Sequence, residues 1–319
     1  MRYFILLFVL FFIACQNSVP TADSTPFKLD TSAQPQWAKD GLRLYPITAE
    51  ADFIAAQAAA AQYKVLSEAM QQARFRITEK KPFGRFEDHS AVNTLTVQNK
   101  TDEPVLLLAG EVVQGGNQDR VIAEDRVIAA HSIEDIPVFC VERGRWTYEG
   151  DHAIDEIDKQ VFAFRGYYQM ADSKVRRAVR RGNQGEVWEK VAAITTAMDA
   201  AGTTGAYANL EHGKDFVAKR ANYQRYFQDK LSDNSSIVGF VATYEDRIIG
   251  ADLFGHPALL NRQFSALLNS YATDAIAGPD QSQYSEEHLR AFARKLFAKA
   301  TRGEGLAADG VFLHLSELP

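Results

Sequence analysis

Between Val92 and Trp146 the chain reads as strand after strand, and this stretch limits the fold more than any other feature. Val92-Asn-Thr-Leu-Thr-Val alternates apolar and polar residues, the period of a half-buried strand, and meets the turn-forming run Asn99-Lys-Thr-Asp-Glu-Pro104. Val105-Leu-Leu-Leu-Ala is apolar on both faces and is expected to be a central, fully buried strand. Asp119-Arg-Val-Ile-Ala-Glu is echoed at once by Asp125-Arg-Val-Ile-Ala-Ala, which predicts the two arms of a hairpin. Ser132 to Glu142 is the next strand. Strands this closely spaced leave no length for helical crossovers, so they predict an antiparallel sheet or sandwich, not βαβ units.

Elsewhere the period changes. Gly41-Leu-Arg-Leu-Tyr-Pro46 alternates and then meets proline, as an edge strand does. The alanine-rich residues 49–73 predict one or two helices, and Arg74 to Glu79 a short strand. Within 171–232, Val187, Val191, Ile194 and Met198 form an apolar helical stripe, and Asp215 to Leu231 predicts a second helix burying Phe216, Tyr223 and Phe227. Ile237–Tyr244 and Arg247–Phe254 flank Glu245-Asp246 as a hairpin. Helices follow at about 258–276, ended by Gly278-Pro279, and 285–300, capped by Ser285; Val311 to Leu315 closes as a strand. The expected fold class is α+β: an antiparallel sheet or sandwich core, with helices mainly from the C-terminal half, in one intertwined domain over 37–319.

The 319 residues are 46% hydrophobic and 24% charged, which excludes a wholly disordered or low-complexity chain. A net charge of −6 argues against a dedicated nucleic-acid binder, and two cysteines exclude a disulfide scaffold. The N-terminus is a targeting segment. Arg2 precedes an apolar run from Tyr3 to Ala14, which falls short of the roughly 20 residues that cross a bilayer. Phe12-Ile13-Ala14-Cys15 resembles the lipobox of bacterial lipoproteins, with Phe12 where Leu is usual; the alternative is a plain signal peptide followed by a fortuitous cysteine. The resemblance implies cleavage after residue 14, lipidation of Cys15 and anchoring in the cell envelope, and under proteobacterial sorting Gln16 in place of Asp favours the outer membrane. Residues 15–36, rich in Ser, Thr, Gln and Pro, are expected to be a flexible tether.

Two segments concentrate polar residues beside buried strands: Ala109-Gly-Glu-Val-Val-Gln-Gly-Gly-Asn-Gln-Asp-Arg120 and Cys140-Val-Glu-Arg-Gly-Arg-Trp146. Strand alternation puts Cys140 and Glu142 on one face. Glu111 and Glu142 suit an acid–base pair if their strands are neighbours, and Arg120 and Arg145 suit bidentate capture of a carboxylate or phosphate; equally, the four could be structural ion pairs. Cys140 is a nucleophile only with a base nearby, for which His131 and His152 are the nearest in sequence; otherwise it is a small buried hydrophobe. Gly115-Gly116 either allows close approach of a ligand or is a turn. Asp252-Leu-Phe-Gly is a further segment that could face the same site, and Trp146, Trp188 and Phe254 are either a ligand platform or core. Arg176, Arg177, Arg180 and Arg181 read as a solvated helix end or an anion contact. The seven histidines show no metal-ligand spacing, and no cofactor is indicated.

Taken together, residues 106–120 and 137–146, with Tyr63-Lys-Val-Leu-Ser-Glu-Ala, Ile77-Thr-Glu79, Gln184, Trp188 and Gly250-Ala-Asp-Leu-Phe254, resemble the ARG and rhodanese-phosphatase-superfamily-associated protein domain over roughly 40–300. The family's name marks an association with ADP-ribosylglycohydrolase and phosphatase-like proteins and implies no particular reaction. The polar positions carried by the resemblance are Glu111, Gln114, Gln118, Asp119, Arg120, Cys140, Glu142, Arg145 and Trp146. Two functions remain open. In one, Glu111, Cys140 or Glu142 acts chemically on a small anionic, sugar-phosphate or nucleotide-like molecule held by Gln114, Gln118, Asp119, Arg120, Arg145 and Trp146. In the other, the motifs are structural and the chain is a non-catalytic envelope protein. A pocket shared by Glu111, Gln118, Cys140 and Glu142 would favour the first; their burial with every polar atom paired would favour the second.

Overall fold

A computed structural model describes residues 25–32, 34–80, 93–145, 164–231, 234–278 and 284–319. Among these the fold is α+β, with antiparallel sheets and helices mostly from the C-terminal half. The first sheet joins the two ends of the described residues. It contains β1 (Phe27–Leu29), β2 (Ala38–Lys39), β3 (Leu42–Ala49), β13 (Ile237–Tyr244), β14 (Arg247–Phe254), β15 (Leu306–Ala308) and β16 (Val311–Glu317), in the order β1-β3-β13-β14-β16-β15 with β2 on β3. A three-stranded sheet holds β4 (Lys64–Val65), β7 (Val105–Leu107) and β10 (Arg126–Ile128), in the order β10-β7-β4, its β4–β7 pair parallel. The third sheet holds β5 (Phe75–Glu79), β6 (Thr94–Asn99), β8 (Glu111–Gly115), β9 (Arg120–Ile122), β11 (Ser132–Cys140) and β12 (Phe164–Met170), in the order β12-β8-β9-β11-β6-β5.

The repeated Asp-Arg-Val-Ile-Ala does not form a hairpin. Arg120–Ile122 pairs with β8 and β11, whereas Arg126–Ile128 pairs with β7 in another sheet. Both copies lie on one arm of a longer hairpin, 105–115 against 120–128, which crosses from sheet to sheet at its middle. There Gly110 N–H donates to Ile122 O and Ala109 N–H to Asp125 Oδ1. Each Arg-Val-Ile therefore faces an apolar run of the opposite arm, Val112-Val113 or Val105-Leu106-Leu107, and that burial outweighs the turn that would fold the echo on itself.

Three other expectations shift. β3 lies inside its sheet, between β1 and β13; Pro46 is tolerated because β1 reaches only Ile47, and Asp30 N–H donates to the Pro46 carbonyl. The alanine-rich segment breaks into α1 (Ala51–Ala56), a 3₁₀ turn (Ala58–Gln62), β4 and α2 (Leu66–Ala69), since the parallel pairing of Lys64–Val65 with Val105–Leu106 interrupts it. Phe27 and Leu29 are buried in β1, so the tether expected over 15–36 gives way to folded chain before its end; Cys15 lies outside the described residues.

The later helices are α3 (Ser173–Arg180), α4 (Gln184–Ala197), α5 (Lys214–Phe227), α6 (Pro257–Ala277) and α7 (Glu286–Thr301); α4 carries the Val187–Ile194 stripe, α5, α6 and α7 fall near their expected spans, and α3 is a separate helix not singled out from the sequence. α6 begins with Pro257 at its first position and the His256 ring accepting from Ala258 N–H at 3.1 Å, and it ends at Gly278, whose φ is +86°. It threads the interior, burying Leu259, Leu260, Phe264, Leu267, Leu268 and Tyr271, each contributing about 1.5–3 kcal/mol by leaving water. Of its buried polar residues, Gln263 reaches Glu111 in β8, whereas Asn269, Ser270 and Asp274 reach Gln169, Ala171 and Ser173 where β12 leads into α3.

Candidate functional site

The tip of the long hairpin is shaped by its glycines. Gly115 has φ +124° and Gly116 φ +56°, and a Cβ on Gly116 would lie 2.5 Å from Glu79 Oε1 and 2.9 Å from the Phe164 ring. The tip is a turn packed on Glu79, which also accepts from Asn117 N–H at 2.8 Å. Gly115 N–H donates to Asp119 Oδ1 at 3.1 Å and closes the turn.

Behind the tip, Arg120 is 1% exposed and faces inward. It pairs with Glu79 at 3.4 Å and donates to the Gln118 carbonyl at 2.9 Å. Cys140 lies opposite it across the β9–β11 pair and is 2% exposed. Burial raises its thiol pKa; the charge of Arg120 opposes that and Glu79 adds to it. A thiol so placed is a poor nucleophile. The Cys140 backbone is clamped by Gln184 at the start of α4, whose amide both accepts from Cys140 N–H and donates to Cys140 O at 2.8 Å.

In front of the tip lies a second ion-pair network. Glu142, just past β11, accepts from Asp119 N–H at 3.1 Å and from Arg145 Nε at 2.8 Å through Oε2. Arg145 also donates from Nη1 to Gly116 O and from Nη2 to Asp119 Oδ1, each at 3.0 Å. The loop before the 3₁₀ turn Tyr207–His212 docks against this segment: Gly144 N–H donates to Thr204 O at 2.7 Å, Tyr207 N–H to Val141 O at 2.9 Å, and Ala206 bridges Glu142. Gly144 is required there, since a Cβ would come within 2.9 Å of Thr204 Cα.

Between network and loop is a cleft of about 440 Å³, lined by Gln114, Gly115, Asp119, Glu142 and Arg145, by Arg165 on the β12 strand paired with Gln114 and Gly115, and by Thr204, Asn209, Glu211 and His212 among others from the loop. That volume is within the range of small-molecule sites. Among the described residues Glu142 Oε1 takes no hydrogen bond, and neither do the side chains of Gln114, Thr204 and Asn209.

The structure thus gathers Gln114, Asp119, Glu142 and Arg145 at one cleft, with Gln118, Arg120 and Cys140 buried behind it. Glu111 is not part of it. It sits at the opposite end of β8, four residues and about 13 Å from Gly115. Glu111 is fully buried, accepting from Leu108 N–H at 2.8 Å and from Gln263 Nε2 at 2.9 Å. Burial raises its pKa to about 7 against those two hydrogen bonds. Glu111 and Glu142 share no partner, so the acid–base pair is not assembled, and Arg120 takes Glu79 as its carboxylate. Trp146 and His152 lie outside the described residues.

Asp252 belongs to a separate buried centre. His314 on β16 bridges Asp125, at 2.5 Å from Nδ1, and Asp252, at 3.2 Å from Nε2. Arg176 contacts Asp252 at 2.6 Å and Ser316 at 3.0 Å. Arg176 is therefore no solvated helix end; it is 3% exposed. Burial alone would raise Asp252, yet Arg176 and His314 hold it well below the usual carboxylate range. Burial disfavours charge on His314, but the two carboxylates outweigh it and raise the pKa to about 9. Phe254 is core, packed on the His314 ring, and Trp188 lies under Arg143.

Sequence reasoning missed the 204–212 wall and Arg165. The one local signal for that wall is Gly202-Thr-Thr-Gly205, two glycines marking a loop. Among the described residues no cluster of three or more His, Cys, Asp or Glu is placed to hold a metal ion, and no helix is long and apolar enough to cross a membrane. No curated protein and no solved structure matches the chain. The family profile described as ARG and Rhodanese-Phosphatase-superfamily-associated Protein domain matches residues 30–312, nearly the whole described fold, and the chain belongs to that family.

Proposed function

We propose that the protein is a lipid-anchored protein of the bacterial envelope that binds a small polar molecule in the cleft between the hairpin tip, the Glu142–Arg145 segment and the 204–212 loop. The observation that carries the binding reading is the cleft itself. It is lined by a carboxylate oxygen, two side-chain amides and a hydroxyl that have no partner among the described residues, on a wall held rigid by buried ion pairs. Buried or half-buried amides are nearly always hydrogen-bonded, so an array left open beside a cavity favours an outside partner. The lipobox-like Phe12-Ile13-Ala14-Cys15 supports the anchor.

The structural reading accounts for Glu111, Gln118, Arg120 and Cys140, which are buried and engaged inside the fold. A hydrolytic variant of the binding reading draws on Glu142 with Glu211 and His212 across the same cleft.

The test uses the full chain purified in detergent, screened by thermal shift against sugars, sugar phosphates, nucleotides and organic acids. A ligand of the cleft raises the melting temperature of wild type and of E111Q, but not of E142Q or of A208F, which fills the cleft from its wall. Equal shifts in wild type and A208F would move the site elsewhere. Metabolic labelling with palmitate, present in wild type and lost in C15A, tests the anchor.

A further inference from the structure

Resting on the cleft reading, we propose that its ligand is a polyhydroxylated, sugar-like molecule recognised through neutral hydroxyls, and not an anion captured by arginine. Two arginines near the site have the fork geometry for a phosphate or carboxylate, and neither is available. Arg145 spends Nε on Glu142, Nη1 on the Gly116 carbonyl and Nη2 on Asp119. Arg120 is buried behind the hairpin tip on Glu79 and Gln118 and does not line the cleft. The remaining lining arginine, Arg165, is exposed on β12, where solvent and salt screen a single charge and leave it about 1 kcal/mol or less.

The local pairing points the same way. Asp119 and Glu142 share Arg145, Glu211 is paired with Arg220 at 2.5 Å, and Glu142 Oε1 takes no hydrogen bond from a cation. An anion seated there would desolvate this oxygen against its own charge. The open groups instead match hydroxyls. A hydroxyl both donates and accepts; Glu142 Oε1 accepts only, the Gln114 amide offers a donor and an acceptor, the Asn209 amide offers its oxygen while its nitrogen is buried beside Gly202, and the Thr204 hydroxyl offers both. Sugar hydroxyls supply donors and acceptors without charge, whereas phosphate brings negative charge and mostly acceptors to a carboxylate that needs a donor.

The experiment measures binding to the full chain in detergent by saturation-transfer NMR and calorimetry. The probes are ribose, glucose, N-acetylglucosamine and short neutral oligosaccharides, alongside the matched sugar monophosphates, inorganic phosphate and acetate. The expected result is binding of neutral members that changes little with salt or in R165Q, and weakens about tenfold or more in E142Q, the loss expected when a hydrogen bond to a charged acceptor goes. N209A is the second variant, because Glu142 also braces Asp119 and Arg145; it should weaken the same probes while melting as wild type does. Failure of every neutral probe overturns the proposal. So does binding of phosphates where the neutral counterparts fail, with loss in R165Q; if A208F also abolishes that phosphate binding, the cleft reading survives and the hydroxyl reading falls. Neutral sugars bound equally well by A208F would overturn the cleft reading itself.

Discussion

Replacing Glu111 by Gln exchanges one atom deep between β8 and α6, and its effect on stability depends on pH in a way that a surface glutamate would not show. Glu111 is fully buried, and its pKa is raised from 4.5 to about 7. The folded protein therefore holds this proton more tightly than the unfolded chain. The stability contributed by Glu111 is complete below pH 4.5 and is lost as pH rises through 7. That rise in pKa corresponds to about 3 kcal/mol, the cost of carrying the buried carboxylate at alkaline pH. E111Q never carries that charge. Its carbonyl can keep the Leu108 N–H bond, and its NH₂ meets Gln263, whose Oε1 has no partner in the wild-type interior and becomes an acceptor when that amide turns over. Urea unfolding at pH 5 and pH 8.5 tests this, because the wild-type-minus-variant difference cancels the other titrating groups. The expected outcome is near-equal stability at pH 5 and an advantage for E111Q of up to about 3 kcal/mol at pH 8.5. An equal loss of stability at both pH values would show that the ionised carboxylate is needed as an acceptor and would refute the burial argument.

His314 should behave in the opposite chemical sense but with the same pH direction: its raised pKa gives stability that is full below pH 6.5 and lost as pH rises through about 9, and H314Q should flatten that part of a stability–pH curve while costing about 3–5 kcal/mol near neutrality, because Asp125 and Asp252 lose a buried partner. G116A should destabilise by more than about 1 kcal/mol in chemical denaturation, since φ +56° and the contacts with Glu79 and Phe164 both oppose a methyl group. In a C15S chain, Cys140 should resist a thiol-reactive disulfide reagent in the folded protein and react promptly in denaturant; rapid labelling of the folded protein would contradict its burial.

Much of the fold was legible in local pattern because local forces make it. The Val187–Ile194 stripe, the Ser285 cap, the Gly278 stop and the Ile237–Phe254 hairpin all depend on residues within a few positions of one another, and each appears where the sequence puts it. The candidate site was half legible: Gln114, Asp119, Glu142 and Arg145 meet at the cleft, while Glu111 does not.

Local residue order carries the periods, the caps and the presence of charged residues that a core could hold only in pairs. Which charge meets which was left to the tertiary structure. Arg176 finds Asp252 across 76 positions, and His314 finds Asp125 across 189. The same holds for the echo at 119–130, whose two copies are locally alike and are separated only because each arm has a different apolar run opposite it. Nothing near 204–212 advertises a binding wall; Thr204 and Asn209 acquire that place when Gly144 lets their loop lie against the end of β11. Pairing in a buried interior is decided by proximity and desolvation, and both exist only once the sheets have assembled.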